Sequence, residues 1–314
     1  MDRVGLIADT AFPNLALMRL AAYHRRRGDE VLFPYRHQPA ERVYASVVFS
    51  RNREDAEWWI GRGATVGGTG WDLHAALPPE VEACPPDYSL YPEIAYSIGF
   101  STRGCIRRCA FCVVPEKEGD IRSVASIAEL LRPDRGEDHL LVLLDNNFLA
   151  NPDRDARMDE IERLGLTVNF NQGLDIRLVD RHVAERLARL KVSNVRRTRP
   201  TIHFAFDHPS LEGIVRRGVA ELALAGVAPW KLMFYILCGF DTTFEEDMYR
   251  FEVLCGLGVD PYVMVYDEKK DLRLHHFERW VNARVYKVCA WTDYAPMIRD
   301  AVPVGPGLFG GGVT

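Results

Sequence analysis

The sequence predicts an α/β protein in which a small domain precedes a larger parallel sheet covered by helices. Two observations support this: near-continuous apolar strands alternate with amphipathic helices, and a proline-rich stretch at 77–92 divides the chain. The 314 residues allow one large domain or two modest ones. We expect a small α/β domain over 1–76, a linker over 77–92, a main domain over 93–270, and a helical extension with a glycine-rich tail over 271–314.

Composition and charge are those of an ordinary globular protein. Hydrophobic residues make up 47% and charged residues 26%, which excludes a disordered, collagen-like or disulfide-knotted chain. Acidic residues number 44 and basic residues 39, so no broad positive field is available for nucleic acid. The first residues lack the apolar run of a secretory segment, and the apolar stretch at 232–240 is too short to cross a bilayer. We therefore expect a cytoplasmic protein with reduced thiols and no membrane partner.

The first domain begins with alternating strands and a helix, as in small flavodoxin-like or Rossmann-like domains. Glycine and basic residues end the predicted helix, as is usual at helix C-termini. The predicted elements are, in order, a strand over 3–9, a helix over 13–27, and strands over 30–35 and 43–50.

The main domain contains six predicted strand–helix units, which are too few for a closed eight-unit barrel. An open barrel and a doubly wound sheet both fit, and in either fold the functional loops lie at the carboxyl ends of the strands. A capping box of Thr243 and Glu246 begins one of the helices. The predicted strands are 93–101, 139–145, 167–172, 201–207, 231–238 and 261–267, and the predicted helices are 123–131, 155–165, 179–190, 210–226, 244–256 and 275–287.

The strongest functional signal is a cysteine triplet on the loop after the first strand of the main domain. Cys105, Cys109 and Cys112 have the spacing C-x3-C-x2-C. Three such thiolates can ligate three corners of a cubane iron–sulfur cluster and leave the fourth iron open to an exchangeable ligand. A structural zinc ion needs four ligands, and the nearest other cysteine is Cys84, in the linker. A cluster is therefore favoured over zinc, a disulfide or chance.

The triplet and its surroundings resemble the radical S-adenosylmethionine (SAM) enzymes. Phe111 is the aromatic residue that these enzymes usually carry before the third cysteine. The resemblance extends over 93–267 as architecture, which implies the partial (β/α)6 barrel of the family. The flanking residues 102–104 and 113–115 look most like the branch that contains methylthiotransferases and enzymes with a cobalamin-binding domain.

The resemblance implies a mechanism and its cofactors. A 4Fe–4S cluster on the three cysteines would bind SAM through the amino and carboxylate groups of SAM. One electron would cleave the sulfonium, and the resulting 5′-deoxyadenosyl radical would take a hydrogen atom from a substrate that the sequence does not identify. The cofactors supply the difficult chemistry, and the protein positions and shields them. The implied partners are this substrate and an electron donor of the flavodoxin or ferredoxin type.

By the same resemblance, residues at further strand ends are candidates for contact with the cofactor. Where the family often has Gly-Gly-Glu, holding the methionine amino group, Asp145 or Asn146 could bond in the same way or could simply form a turn. Asp207 could contact the cofactor or cap a helix. Gly239 allows close approach of a ligand, and Met264 could border the adenine or pack in the core. The candidate cofactor residues are Phe111, Asp145, Asn146, Asp207, Gly239 and Met264.

Polar residues after the third strand are candidates for substrate contact. Gln172, Asp175 and Arg177 lie where a carboxyl-end loop is expected. A buried ion pair is the structural alternative for Asp175 and Arg177.

The first domain resembles a shortened cobalamin-binding domain. The segment 66–70 is similar to the glycine segment of such domains, but their Asp-x-His-x-x-Gly loop is missing, which argues against cobalamin as a cofactor. Two alternatives stay open: a cobalamin-dependent radical SAM methyltransferase and, from another class, a non-catalytic iron–sulfur electron-transfer protein. The polar strand ends favour an enzyme, because a carrier needs no pocket.

Overall fold

The computed structural model describes residues 1–266 and 271–294, and its contacts divide the chain into two compact units. Residues 1–96 and 113–117 form the first unit, and the second contains residues 97–112 and continues from 118. The whole glycine-rich tail of the extension predicted over 271–314, and position 267 of the last predicted strand, lie outside the described residues. Within these residues no helix is both long and apolar enough to cross a membrane.

The first unit is a small parallel sheet with helices, as the sequence predicts for this part of the chain. Its four strands pair in the order β2-β1-β3-β4, all in parallel. The strands are β1 (Arg3–Ala8), β2 (Glu30–Leu32), β3 (Arg42–Ser46) and β4 (Thr65–Gly67), and the helices are α1 (Leu15–Arg26), α2 (Arg53–Ile60), α3 (Pro79–Glu82) and α4 (Val114–Lys117).

The proline-rich stretch 77–92 is folded onto the first unit. It contains α3 and a short 3-10 turn at Tyr88–Leu90. The backbone N–H of Asp87 donates to the carbonyl oxygen of Met18 on α1 at 3.1 Å. This stretch is therefore an ordered cover of α1 and not an extended spacer.

The second unit contains nine strands and six helices within the described residues. The strands are β5 (Ser97–Gly99), β6 (Thr102–Arg103), β7 (Arg122–Ser123), β8 (Leu140–Leu143), β9 (Thr167–Phe170), β10 (Lys191–Val192), β11 (Ile202–Ala205), β12 (Leu232–Cys238) and β13 (Asp260–Val265). The helices are α5 (Arg154–Arg163), α6 (Arg181–Arg189), α7 (Glu212–Leu224), α8 (Phe244–Gly256), α9 (Leu272–Asn282) and α10 (Trp291–Tyr294).

Two parallel sheets form the framework of the second unit. One has the order β10-β9-β8-β5 and the other the order β11-β12-β13. They meet where Leu174, just after β9, pairs with Phe204 in β11 and donates its N–H to the carbonyl oxygen of His203 at 2.7 Å. The α/β class with parallel sheets is confirmed. The strand pairing does not show a complete six-unit barrel, which stays a prediction.

Helices cover one face of β12 and bury it. Along this strand, buried residues alternate with half-buried ones, as expected when only one face packs on helices. The predicted capping box is confirmed at the start of α8: the Glu246 N–H donates to the Thr243 hydroxyl at 3.2 Å, and the Thr243 N–H donates to the Glu246 carboxylate at 2.8 Å.

The helix predicted over 123–131 is wrong. The structure has only a 3-10 turn at Ala128–Leu130. Ser123 instead pairs antiparallel with Thr102, and the N–H of Val124 donates to the carbonyl oxygen of Ser101 at 2.9 Å. The apolar periodicity of 123–131 predicted a helix. Residues 122–123, at the start of this segment, instead pair with residues 102–103 and close the cysteine loop, and this tertiary pairing overrides the local helix propensity.

A fully buried ion pair connects α8 with the ends of two strands. The guanidinium of Arg250 donates to the carbonyl oxygens of Phe206 at 2.6 Å and Leu237 at 2.7 Å, and it also contacts the Asp247 carboxylate. Neither side chain of the pair is exposed. Burial raises the pKa of Asp247, while Thr242 and Arg250 oppose the shift.

A side chain from α9 covers the outer edge of β13. The amide of Asn282 accepts from the Val263 N–H and donates to the Val263 carbonyl oxygen, both at 2.9 Å. Pro261, two residues earlier, has no N–H to offer. In the part of the chain that the structure describes, no further strand pairs along this edge.

Candidate metal centre at the strand ends

The cysteine triplet lies on the loop that β6 and β7 close, next to the carboxyl end of β5. All three side chains are partly exposed, and none of the seven cysteines, all within the described residues, forms a disulfide. Within residues 1–266 and 271–294, no three histidine, cysteine, aspartate or glutamate side chains are close enough to hold a metal ion. The three thiols share one loop and would have to converge on a bound group.

Gly104 makes the tight entry into this loop. Its φ of +79° is left-handed, and a Cβ here would lie 2.3 Å from the carbonyl oxygen of Asp120. The Gly104 N–H donates to Oδ1 of Asn146 at 3.0 Å, and the next N–H, of Cys105, donates to the carbonyl oxygen of Gly119 at 3.4 Å. Only glycine fits this conformation and this close approach.

The residues directly after β8 form hydrogen bonds with the backbone that leads into the cysteine loop. Asp145 is buried and accepts from the N–H of Ser101 at 2.7 Å and from the Ser101 hydroxyl. Asn146 accepts from Gly104, as described above. Both candidate cofactor residues therefore bond backbone that leads into the cysteine loop. Direct contact of Asp145 or Asn146 with a cofactor stays a prediction.

Asp145 should make the protein less stable as the pH rises. Burial raises its pKa to about 6 against the hydrogen bonds from Ser101, so the folded state favours the protonated carboxyl. Its contribution is complete below pH ~4 and is lost as the pH rises through 6, by roughly 3 kcal/mol. From pH 4.5 to 7.5, the loss measured by urea unfolding should be about 2 kcal/mol smaller in Asp145→Asn than in the wild type, because Asp207 titrates over the same range in both proteins. Parallel pH profiles for the two proteins would contradict it.

Asn147 is a site residue that the sequence analysis did not select. Its side chain is buried, and Nδ2 lies 3.4 Å from Sγ of Cys105 and 3.5 Å from Oδ2 of Asp175. Its Oδ1 is buried and makes no hydrogen bond with any described residue. Three polar residues follow β8 in a row, but the sequence does not show that the third turns towards a cysteine.

Asp175 and Arg177 form the ion pair that the sequence analysis left open as the structural alternative. Arg177 Nε lies 2.6 Å from Oδ1 of Asp175, and Arg107, between the first two cysteines, reaches Oδ2 at 2.9 Å. Burial alone would raise the pKa of Asp175, but hydrogen bonds from the two arginines outweigh it and hold the pKa below its usual value. Gln172 lies exposed on the same loop, and substrate contact by these residues stays a prediction.

Charged groups surround Cys109. Burial raises the pKa of its thiol, while the charge and hydrogen bond of Arg177 act in the opposite direction. Burial also raises the pKa of Asp207 to about 6, although Arg250 and Arg177 oppose it. Asp207 does not cap the turn that follows, because the His208 side chain accepts from the Ser210 N–H at 3.2 Å. The capping alternative for Asp207 is therefore wrong.

Three further candidates lie on the loop or at strand ends. Phe111 packs edge-on against Phe240, with ring centroids 5.8 Å apart. Gly239, just before that ring, has a left-handed φ of +81°. Met264 is 46% exposed, whereas its neighbour Val263 is fully buried, so core packing does not explain Met264. Their contact with a cofactor stays a prediction.

The residues present fit the iron–sulfur cluster that the cysteine spacing implies. Three soft thiolates favour iron–sulfur clusters over hard cations such as magnesium or calcium. Nδ2 of Asn147 and the backbone N–H of Arg107, at 3.4 Å and 3.3 Å, are aimed at the sulfur of Cys105. The buried Oδ1 of Asn147 beside them has no partner within the described residues, so an acceptor is left for a bound donor.

Comparison with known proteins gives little similarity. No protein-family model and no curated protein matches the chain. A solved structure that is similar is the crystal structure of Streptococcus suis SuiB bound to S-adenosylmethionine, at 12% identity and a TM-score of 0.40. The match covers 82% of this chain and 64% of that chain. A similarity this low supports no conclusion about function. A proposed function therefore has to rest on the residues of the site.

Proposed function

We propose that this protein is a radical SAM enzyme that holds a 4Fe–4S cluster on Cys105, Cys109 and Cys112. The observation that carries the proposal is the C-x3-C-x2-C loop at the carboxyl end of a parallel sheet, held by polar residues from the next strand ends. When bound, the cluster supplies the one-electron chemistry that cleaves SAM. The substrate of the resulting radical is not identified.

Asn147 is the best residue to hold the amino group of SAM. Its Oδ1 is a buried acceptor without a partner among the described residues, and leaving such a group unpaired costs about 1–3 kcal/mol. An N–H of the amino group would satisfy it. The side-chain oxygens of Asp145 and Asn146 at the same strand end already accept bonds from Ser101 and Gly104.

The exposed part of the cysteine loop suits an acidic one-electron donor of the flavodoxin or ferredoxin type. Ile106 is exposed beside the first cysteine, and Arg108 extends into solvent near Asp120. Exposed cations steer the approach of an acidic partner. This partner is part of the proposal.

Release of 5′-deoxyadenosine tests the proposal. The full chain, reconstituted anaerobically with iron and sulfide, should release this product from SAM when dithionite is added. Cys109→Ala should reduce release to background, because the cluster loses one of its three ligands. Cys255→Ala, which removes an exposed thiol on α8, is the matched control and should behave like the wild type.

Two outcomes would overturn the proposal. Release by Cys109→Ala at the wild-type rate would show that the triplet does not hold the reacting cluster. A loaded cluster in the wild type that neither binds SAM nor cleaves it would support the non-catalytic electron-transfer protein instead.

A further inference from the structure

Asp175 is the centre of a hydrogen-bond network between two of the cysteines. Its side chain is only 5% exposed. Oδ1 accepts from the backbone N–H of Arg177 at 3.1 Å and from Nε of Arg177 at 2.6 Å. Oδ2 accepts from Nε of Arg107 at 2.9 Å and from Nδ2 of Asn147 at 3.5 Å. One carboxylate therefore holds donors from three separate segments.

One of these donors also reaches a cysteine sulfur, and the charge of a second acts on another cysteine. Nδ2 of Asn147 lies 3.4 Å from Sγ of Cys105. Arg177, whose Nε is held by Asp175, lies near enough to Cys109 for its charge to oppose the rise that burial causes in the pKa of that thiol. The same side chains that bond Asp175 thus present one amide and one cation to two of the three proposed ligands.

We propose that Asp175 is a positioning residue that aims Asn147 and Arg177 at the sulfurs of Cys105 and Cys109 and so stabilises the reduced state of their cluster. This inference rests on the proposed function. Reduction adds one electron, and hence one negative charge, to the cluster. Hydrogen bonds to the sulfurs and a nearby cation stabilise that charge and raise the reduction potential.

The sign of the change in reduction potential in Asp175→Asn distinguishes a positioning role from a purely electrostatic one. Asp175→Asn removes a negative charge close to the cysteines, and by Coulomb's law alone this would raise the potential. If Asp175 acts by aiming its donors, the amide oxygen of the variant keeps the N–H of Arg177 at the turn, and the NH2 group in the place of Oδ2 cannot accept from Asn147 and releases it. The potential then falls.

The test is the midpoint potential of the reconstituted full chain, from an anaerobic dithionite titration followed by electron paramagnetic resonance. Asn147→Leu and Arg177→Gln should each weaken stabilisation of the reduced cluster about tenfold, which lowers the midpoint by ~59 mV for a one-electron couple. Asp175→Asn should also lower it. Adding Asn147→Leu to Asp175→Asn should have no further effect, because the amide is already released.

The matched control is Asp134→Asn, which removes an exposed carboxylate paired with Arg132 and should leave the potential unchanged. A raised or unchanged midpoint in Asp175→Asn, or additive shifts in the double variant, would overturn the positioning role. If Asp175→Asn takes up no iron, Asn147→Leu and Arg177→Gln decide, and unchanged midpoints in both overturn it. Failure of the proposed function is distinguishable, because the wild type would then hold no cluster to titrate or would hold one without SAM cleavage.

Discussion

Arg250→Met is expected to lower the free energy of unfolding by about 3–5 kcal/mol. The variant leaves the carboxylate of Asp247 buried without its counter-charge. It also removes the donors that satisfy the carbonyl oxygens of Phe206 and Leu237 at the ends of β11 and β12. Methionine fills much of the volume, so the loss measures the polar contacts and not a cavity.

Urea unfolding of the full chain measures this loss. The matched control is Arg216→Met, which breaks a partly exposed pair with Glu212 on α7 and should cost less than about 1 kcal/mol. Replacing Asp247 by leucine together with Arg250→Met should recover part of the loss, because no buried charge is then left alone. Equal stability of Arg250→Met and Arg216→Met would contradict the assignment.

Gly104→Ala is expected to abolish iron uptake by the cysteine loop. A left-handed backbone costs an alanine ~1–2 kcal/mol, and the Cβ would in addition meet the carbonyl oxygen of Asp120 at 2.3 Å. Because a backbone oxygen cannot swing away like a side chain, the entry to the loop must change. The N–H of Gly104 would then lose Asn146, and Cys105 would move from its place.

Gly119→Ala separates the two causes. Gly119 also has a left-handed φ, of +70°, but a Cβ there meets no atom within 4 Å. This variant therefore has only the free-energy cost of the left-handed backbone, without a steric clash, and should keep its iron. Iron and sulfide per chain after reconstitution are the measurement for both. Equal iron content in Gly104→Ala and Gly119→Ala would mean that the close approach to Asp120 is unimportant.

Periodicity was sufficient for the longer parallel strands and most of the longer helices, because those elements bury one side over several turns or alternations. It did not predict the short strands β4 and β10 or the helix α2. It failed at 123–131, where Ser123 pairs with Thr102 and a short ladder replaces the helix. That pairing depends on a partner twenty-one positions earlier in the chain. Local propensity contains no information about it.

The cysteine loop could be located from spacing alone, but its supporting network could not. Asp175 lies 68 positions from Arg107 and 28 from Asn147, so their contact depends on how three strand ends come together. The sequence offered Asp175 and Arg177 as polar residues at a carboxyl end. It could not show that Arg107 would turn to the same carboxylate, because a basic residue between two cysteines is equally compatible with solvent.

The edge of β13 has a consequence for the behaviour of the protein at high concentration. An exposed parallel edge is a template on which a strand of another molecule can add, and this is a common route to aggregation. Here Pro261 offers no donor, and Asn282 occupies both backbone groups of Val263. A foreign strand would have to displace the Asn282 amide before it could bond the backbone of Val263. One proline and one asparagine thus protect the middle of β13 from intermolecular sheet growth.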